Sequence, residues 1–577
     1  MNEKFYLGIS LGFNSSACVV SDKRGLVAAI SQERMNGQKN TKELPFDAIA
    51  KCIEIAGIRE IEQIAISHYE TITNEYFKKY QATEGPYRLG IISNWQECIL
   101  NILIYEIGVK IVCRQIKVVN HHLAHALSTF AFYPSSINCV AITSDGFGQG
   151  VSGTISTTMN GPVSEIPLKN SIALVYQFVT GALGFKMHQH EGKITGLAAY
   201  GKPIYLDKFE ALYNLTDEGN GLDFKDDEYS LDAFETEQCV NSAIIDFDHF
   251  LKLKKAVFGL VKSLTDDGAK REDIAASVQE FSEKYTLKWI ERYCKSDEKV
   301  PAYIAGGLFA NVKINQRIKD SGIFSEVYVC PPMGDEGTCV GAALSLISEE
   351  FEVALPQLCG TKVGLDTVAT VEMINQHLKE NNLEDAYNVT VSSDTIGGIV
   401  TAIAERLANN KIVCLMRDSM EFGPRALCHR SILYNADSRE TNDWLNKKLS
   451  RTEFMPFAPV CREEVADDLF INLDGGRDSA KYMTMTFDCT EEFAENYKAA
   501  CHIDNTARPQ IIHFEDDPFM WNVLSAYESL TGKKALINTS FNLHNWPIIE
   551  SEKVGLESWI TSDTDCLVIG NVIVEKK

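Results

Sequence analysis

The sequence predicts an α/β protein of two or more domains, the first of which repeats one α/β pattern. Three observations carry this expectation. The chain has 577 residues, more than one ordinary core organises. Two strand–turn–strand units, Phe5 to Val20 and Cys139 to Thr157, are each followed by mixed helix and strand. A short strand, Ala302 to Ala305, runs through Gly306 and Gly307 into a helix ending near Arg317.

In the first unit, Gly12 and Asn14 suit a tight turn, with Ser15 and Ser16 at its tip. Leu44 to Ala56 reads as a helix. Ile116 to Val119 reads as a strand, followed by Asn120-His121-His122-Leu123-Ala124-His125-Ala126 opening a helix through Phe132. His121 and His125 are four residues apart, so they share one helix face, where two neutral imidazoles either pack or hold one divalent metal. In the second unit, Ser144 to Gly150 reads as a Gly-rich turn whose backbone N–H groups suit phosphate oxygens. His188 to Pro203 is dense in polar groups beside small residues, and Lys193 is its natural anion ligand. Ile204 to Lys299 is more polar, acidic and largely helical, a region expected to shape or cover a site. Val327 to Cys330 reads as a strand leading to Asp335, which either caps the next helix or completes a His-His-Asp metal set.

Pro356 and Gly360 break the pattern between Glu349 and Asp366, which gives expected domains at 1–355 and 365–577. Residues 417–462 carry eight Lys/Arg against six Asp/Glu, in a chain whose net charge is −24. Arg forks in such a cluster bind phosphate or carboxylate bidentately, and a charge-paired solvated face is the alternative.

Composition narrows the classes. Hydrophobic content of 45% and charged content of 23% fit a soluble globular protein. The acidic balance argues against a general nucleic-acid binder. The start lacks a signal-peptide core, and the best apolar run, Ile172 to Phe185, is short and interrupted by Gln177, so a cytoplasmic protein without membrane spans is expected. The 16 cysteines form no C-x-x-C and read as small buried hydrophobes of a reducing compartment.

Nine strings occur in one order: N-H-H-L-A-H-A, S-D-G, E-G-K-I-T-G-L-A-A-Y-G, A-G-G-L-F-A-N, G-D-E-G-T, M-E-F-G-P-R-A-L, P-F-A-P, T-A-R and N-T-S-F-N. Together with the opening hairpin they resemble the NodU/CmcH-type O-carbamoyltransferases, which modify nodulation factors, cephems, aminoglycosides and related sugars or alcohols. The resemblance implies an actin-like (ASKHA) N-terminal domain and a smaller YrdC-like C-terminal α/β domain. It implies that the C-terminal domain makes carbamoyl-adenylate from carbamoyl phosphate and ATP. The N-terminal domain then passes the carbamoyl group to a hydroxyl acceptor, such as a sugar or natural product. The metal positions match His121, His125 and Asp335, with Fe2+ the implied ion and Mg2+ accompanying ATP. Asp145, Lys193, Gly306, Gly307 and Asn311 match positions that cradle the adenylate. Arg508, Ser540 and Asn542 match phosphate-handling positions, with Arg425, Arg430, Lys448 and Arg451 as nearby candidates. Catalytic candidates are Arg508, Lys448, Arg425 and His122, the last of which either packs or serves as a base.

The chain departs from similar sequences at four places. It has Phe13-Asn14 for His-Asp, near the acceptor, Asp418-Ser419 for Gly-Arg, Cys428-His429 for Gly-Asn, and Met455 for Arg. The implied partners are carbamoyl phosphate, ATP and a small acceptor, with a homodimer allowed and neither nucleic acid nor membrane. The alternatives are a threonylcarbamoyl-type tRNA-modifying enzyme and a non-catalytic nucleotide-binding scaffold of the same fold.

Overall fold

The computed structural model describes residues 3–68, 72, 74, 94–134, 136, 138–157, 162–240, 246–348, 360–392, 396–440 and 457–577. These form two compact units: Met1–Gln32 with Asn40–Gly360, and Glu33–Lys39 with Thr361–Lys577. The short piece Glu33–Lys39 therefore belongs to the second unit, a split the sequence alone does not signal. No described helix is long and apolar enough to cross a membrane.

The first unit contains two sheets of identical topology. In the first, β1 (Phe5–Ser10), β2 (Ser16–Ser21), β3 (Gly25–Ser31), β4 (Gln63–Ser67) and β5 (Ile116–Val119) lie in the order β3-β2-β1-β4-β5. The hairpin strands β1, β2 and β3 are antiparallel, whereas β4 and β5 run parallel to β1. In the second sheet, β6 (Val140–Gly148), β7 (Val151–Thr157), β8 (Pro162–Pro167), β9 (Ala302–Ala305) and β10 (Val327–Val329) repeat the order as β8-β7-β6-β9-β10. The same mixture of antiparallel and parallel pairs recurs. A hairpin meander followed by two parallel crossover strands, present twice, is the actin-like duplication. The expected turn at Ser144 to Gly150 is shorter than the composition implies. Strand β6 continues to Gly148, with irregular pairing between Ser144 and Gly148, so Asp145 sits in a distorted strand segment.

The parallel ends Ser10, Ser67 and Val119 pair in one row, and α1 (His121–Thr129) starts just beyond it. Asn120 caps this helix, its Oδ1 accepting from Leu123 N at 3.0 Å. Its Nδ2 donates to Gln149 Oε1 at 2.8 Å, which ties the helix start to the β6–β7 turn. Helix α2 (Thr338–Ile347) packs against α1 and β1. A Cβ built on Gly341 meets Ala124 O at 1.8 Å, so the two helices touch backbone to backbone. Gly341→Ala is therefore expected to lower stability by about 3 kcal/mol, because the obstacle is a carbonyl and not a mobile side chain. A fall in the thermal midpoint checks this.

The acidic stretch after Ile204 contains a small hairpin, Tyr213–Leu215 with Leu222–Phe224, and two long helices, Phe247–Asp266 and Arg271–Cys294. The second long helix is anchored by buried Phe281, Tyr285 and Trp289, and it packs against Glu191–Ala198.

The second unit is built on an eight-stranded sheet. Its strands are β11 (Tyr387–Val391), β12 (Val413–Met416), β13 (Arg430–Tyr434), β14 (Ala458–Arg462), β15 (Gln510–Ile512), β16 (Ala535–Ser540), β17 (Cys566–Ile569) and β18 (Val572–Lys576). Their order is β11-β18-β17-β12-β13-β16-β14-β15. Helices Ile396–Ala408 and Pro518–Thr531 pack on it around Ile403, Leu407, Leu415, Val523 and Val568. The second helix shows why it begins and ends where it does. Asp517 caps it, Pro518 opens it, and Gly532 closes it at φ 73°. The chain as a whole is thus an α/β protein with an actin-like first unit and a mixed-sheet second unit.

Candidate active site

Four polar side chains meet at the parallel edge of the first unit. His121 and His125 come from α1, Asp145 from the distorted part of β6, and Asp335 from the turn before α2. One ligand atom from each lies within 4.8 Å of all the others. His125 Nε2 is 3.2 Å from Asp145 Oδ2 and 3.5 Å from Asp335 Oδ1. His121 Nε2 is 3.6 Å and 3.7 Å from the same two atoms. Donors about 2.1 Å from a common cation stand roughly 3.0–3.5 Å apart, so this N2O2 set fits one divalent ion after small shifts. Asp335 does not cap α2, whose cap position is Gly337.

Hydroxyls position Asp335. Ser10 Oγ donates to Asp335 O at 2.8 Å, Thr338 Oγ1 to the same oxygen at 2.7 Å, and Ser16 Oγ to Glu336 O at 2.7 Å. Gly148 leaves room for the His121 ring, since a Cβ there meets its Cδ2 at 2.3 Å. The two carboxylates also need positive charge. Burial opposes protonation of His125, but Asp145 and Asp335 outweigh it and raise the imidazole to about 9. Burial works against Asp145 ionising, yet the imidazoles of His121 and His125, 3.6 Å and 3.2 Å from its Oδ2, hold it well below the carboxylate range. Burial and the Asp145 charge push Asp335 up. A metal would take over the role of the His125 proton.

Asp145, matched in the sequence to an adenylate position, is thus a member of the histidine cluster. Gly306 and Gly307 lie beside it: a Cβ on Gly306 meets Ser144 O at 2.2 Å, and one on Gly307 meets Asp145 Oδ1 at 2.9 Å. Asn311 corrects the expectation. Its Oδ1 caps the helix Val312–Asp320, and its Nδ2 donates to Gln279 Oε1 at 2.8 Å, so the fold itself uses the carboxamide. Lys193 is buried on the first turn of Glu191–Ala198. Of its two expected roles, His122 takes the packed one. Its Nδ1 pairs with Thr143 Oγ1 at 2.8 Å and its Nε2 with Val151 O at 3.0 Å. Burial pushes it down to about 3, and with both nitrogens occupied it is a packed histidine and not a base.

In the second unit, Arg508 directly follows the short strand Thr506–Ala507. Arg425 lies close enough that its charge adds to burial, and together they push the Arg508 guanidinium well below its ordinary range. Arg508 has no carboxylate partner among the described residues. Asn538 organises this region, its Nδ2 reaching Gln510 Oε1 at 2.6 Å, Ala426 O at 3.1 Å and Cys428 Sγ at 3.3 Å. It therefore joins the segments that carry Arg425, Arg508 and Ser540. Cys428 adopts φ 69°, the left-handed conformation that glycine adopts without strain.

Arg430 is not an anion ligand. It is fully buried, and its guanidinium donates to the carbonyls of Arg417 at 2.7 Å and Leu365 at 2.9 Å. Asn542 Nδ2 donates to Leu543 O and Trp546 O, each at 2.9 Å, and so shapes its own turn. Lys448 and Arg451 lie outside the described residues. The sequence reading missed Ser10, Gly148 and Gly341; none carries a chemical signature, because each acts through space it leaves or a backbone atom it holds.

The fold and these sites define an actin-like α/β protein with a buried two-histidine, two-carboxylate centre and a second unit bearing paired guanidiniums. The profile described as "Carbamoyltransferase N-terminus" matches residues 6–344, and "Carbamoyltransferase C-terminus" matches 404–576. The chain belongs to the carbamoyltransferase family and is a transferase of that class. It is 27% identical to nodulation protein NolNO of Sinorhizobium fredii over 98% of this chain and 79% of that one. It is 29% identical to nodulation protein NolO of Bradyrhizobium diazoefficiens over 79% of each. Among solved structures, the (R)-2-hydroxyglutaryl-CoA dehydratase component A of Acidaminococcus fermentans is similar at 12% identity and TM-score 0.33, over 60% of this chain and 98% of that one.

Proposed function

We propose that the protein is an ATP-dependent O-carbamoyltransferase that works in two half-reactions. In the first, carbamoyl phosphate, ATP and one water give carbamoyl-adenylate, phosphate and pyrophosphate. In the second, a hydroxyl of a sugar or other small acceptor attacks the carbamoyl carbon, and AMP leaves.

The observation that carries the proposal is the presence of two chemically opposite sites in two separate units. Arg508 and Arg425 form a cationic place suited to a small dianion such as carbamoyl phosphate. His121, His125, Asp145 and Asp335 form an anionic place suited to a cation. A divalent ion held there, Fe2+ by resemblance, supplies a Lewis acid for the carbamoyl oxygen. The protein's own contribution is to bind and orient: Gly306 and Gly307 carry no side chain where Ser144 O and Asp145 Oδ1 approach, so the turn after β9 packs directly against Asp145.

The test is purified protein with labelled carbamoyl phosphate and ATP. Expected are stoichiometric pyrophosphate and, when metabolite extract is added, a labelled acceptor visible by mass spectrometry. Pyrophosphate no higher than in a blank sinks the proposal.

A further inference from the structure

The transfer step needs a group to take the acceptor's proton, since an alcohol is a poor nucleophile until that proton leaves. The family resemblance implies His-Asp where this chain has Phe13-Asn14, and both ring nitrogens of His122 are occupied. We propose that His188 is the base for the acceptor hydroxyl, its imidazole stacked on Phe13 in place of an imidazole at that position.

The geometry brings four separate segments to this ring. Phe13 and His188 stack with centroids 4.4 Å apart and planes 19° from parallel. Lys42 Nζ lies 3.5 Å from the Phe13 ring centroid. Asn40 Nδ2 donates to His188 O at 2.7 Å, and His188 N donates to Glu191 Oε1 at 2.6 Å. His188 takes φ 64°, a conformation that non-glycine residues adopt mostly where a turn or a function holds them there. The turn that carries Phe13 is fixed to the metal-ligand segment, because Asn14 Nδ2 reaches Glu336 Oε2 at 3.4 Å, next to Asp335.

Gln177 supplies the orientation. Its carboxamide nitrogen lies 2.9 Å from His188 Nε2. A half-turn of that amide exchanges two nearly isosteric atoms, so that Oε1 accepts Nε2–H and the lone pair falls on Nδ1. Nδ1 has no partner among the described residues. This also accounts for the polar residue that interrupts the apolar helix Ile172–Ala182: Gln177 is buried on it, and it faces His188 and lies near Gly146, the neighbour of Asp145.

The step balances. The acceptor oxygen bonds to the carbamoyl carbon, its proton passes to His188 Nδ1, and the bond from that carbon to the adenylate oxygen breaks as AMP leaves with the electron pair. The charged groups around the ring are Lys42, Asp145 and Glu191. Desolvation by surrounding side chains and the Lys42 charge lower the imidazole below its ordinary 6.5, and Asp145 opposes them. The ring is then neutral, and able to accept a proton, at neutral pH.

The inference rests on the two-step reading above, and the experiment separates the two. Water serves as the acceptor probe, so AMP release reports attack on the carbamoyl carbon while a pyrophosphate burst reports adenylate formation. His188→Gln is expected to keep the burst, to slow AMP release about 100-fold, and to lose the acid limb of the rate profile, which in the natural protein falls below 6.5. Phe13→His in the His188→Gln background returns an imidazole to the same place and is expected to recover both rate and limb. AMP release from His188→Gln at the natural rate, or slowed with the acid limb intact, overturns the inference. A natural protein that gives no burst overturns the two-step reading and this inference together.

Discussion

His125→Ala is expected to abolish transfer while leaving the first half-reaction running. His125 is fully buried, and its Nε2 faces both carboxylates, at 3.2 Å and 3.5 Å. Without it, Asp145 and Asp335 confront each other with one imidazole between them, and the site loses one of its two nitrogen donors. Bound metal should fall below about one-tenth of an equivalent, and AMP release should fall by at least about a thousandfold. The pyrophosphate burst should persist, because the guanidiniums of the second unit are untouched. Stability should drop by about 3 kcal/mol, the usual cost of removing one member of a buried charge pair. The pH dependence has a definite sign. In metal-stripped protein the folded-state His125 lies near 9, above its ordinary 6.5. Its contribution is fully present below 6.5 and is lost as pH rises through 9. Chemical denaturation of the stripped protein should show that loss, and His125→Ala should not. If the variant loses its burst along with transfer, the assignment of separate chemistry to the two units fails.

The strands and helices of the first unit were legible because they follow local rules. Apolar runs on either side of a Gly12–Asn14 turn gave β1 and β2, an apolar run ended by glycines gave β9, and a segment rich in Ala, Leu and Phe gave α1. The histidine spacing was legible for the same reason, since i and i+4 share a face whatever lies around them. Long-range geometry was not legible. Asp145 looked like part of a phosphate-binding turn because its neighbours are glycines; only the irregular pairing from Ser144 to Gly148 turns it toward His125. Arg430 and Arg425 look alike in sequence, five residues apart in one basic cluster. Burial against the carbonyls of Leu365 and Arg417 separates them, and no local pattern encodes that. His188 carried the weakest signal, one histidine in a polar loop, and gained meaning from the ring of Phe13 stacked against it.

Arg508→Ala is expected to abolish the pyrophosphate burst by at least about a thousandfold and, in the unliganded protein, to raise stability by about 1 kcal/mol. Both effects have one cause. Arg508 is a partly buried guanidinium beside a second one, with no carboxylate partner among the described residues to offset it. Desolvation and like-charge repulsion are costs that a bound dianion relieves, so the free site stores strain that binding releases. Inorganic phosphate, as a probe, should therefore raise the melting temperature of the natural protein and leave that of Arg508→Ala unmoved. Arg508→Lys keeps the charge but loses the fork, and should retain weakened phosphate binding. Arg430→Ala supplies the opposing case. Its guanidinium satisfies buried carbonyls, so truncation leaves Arg417 O and Leu365 O without donors and should destabilise by about 3 kcal/mol. Two arginines of the second unit thus change stability in opposite directions when truncated, because one is paired by the fold and the other is kept for a ligand. If Arg508→Ala melts below the natural protein as Arg430→Ala does, Arg508 holds the fold together and the anion site has to be sought elsewhere.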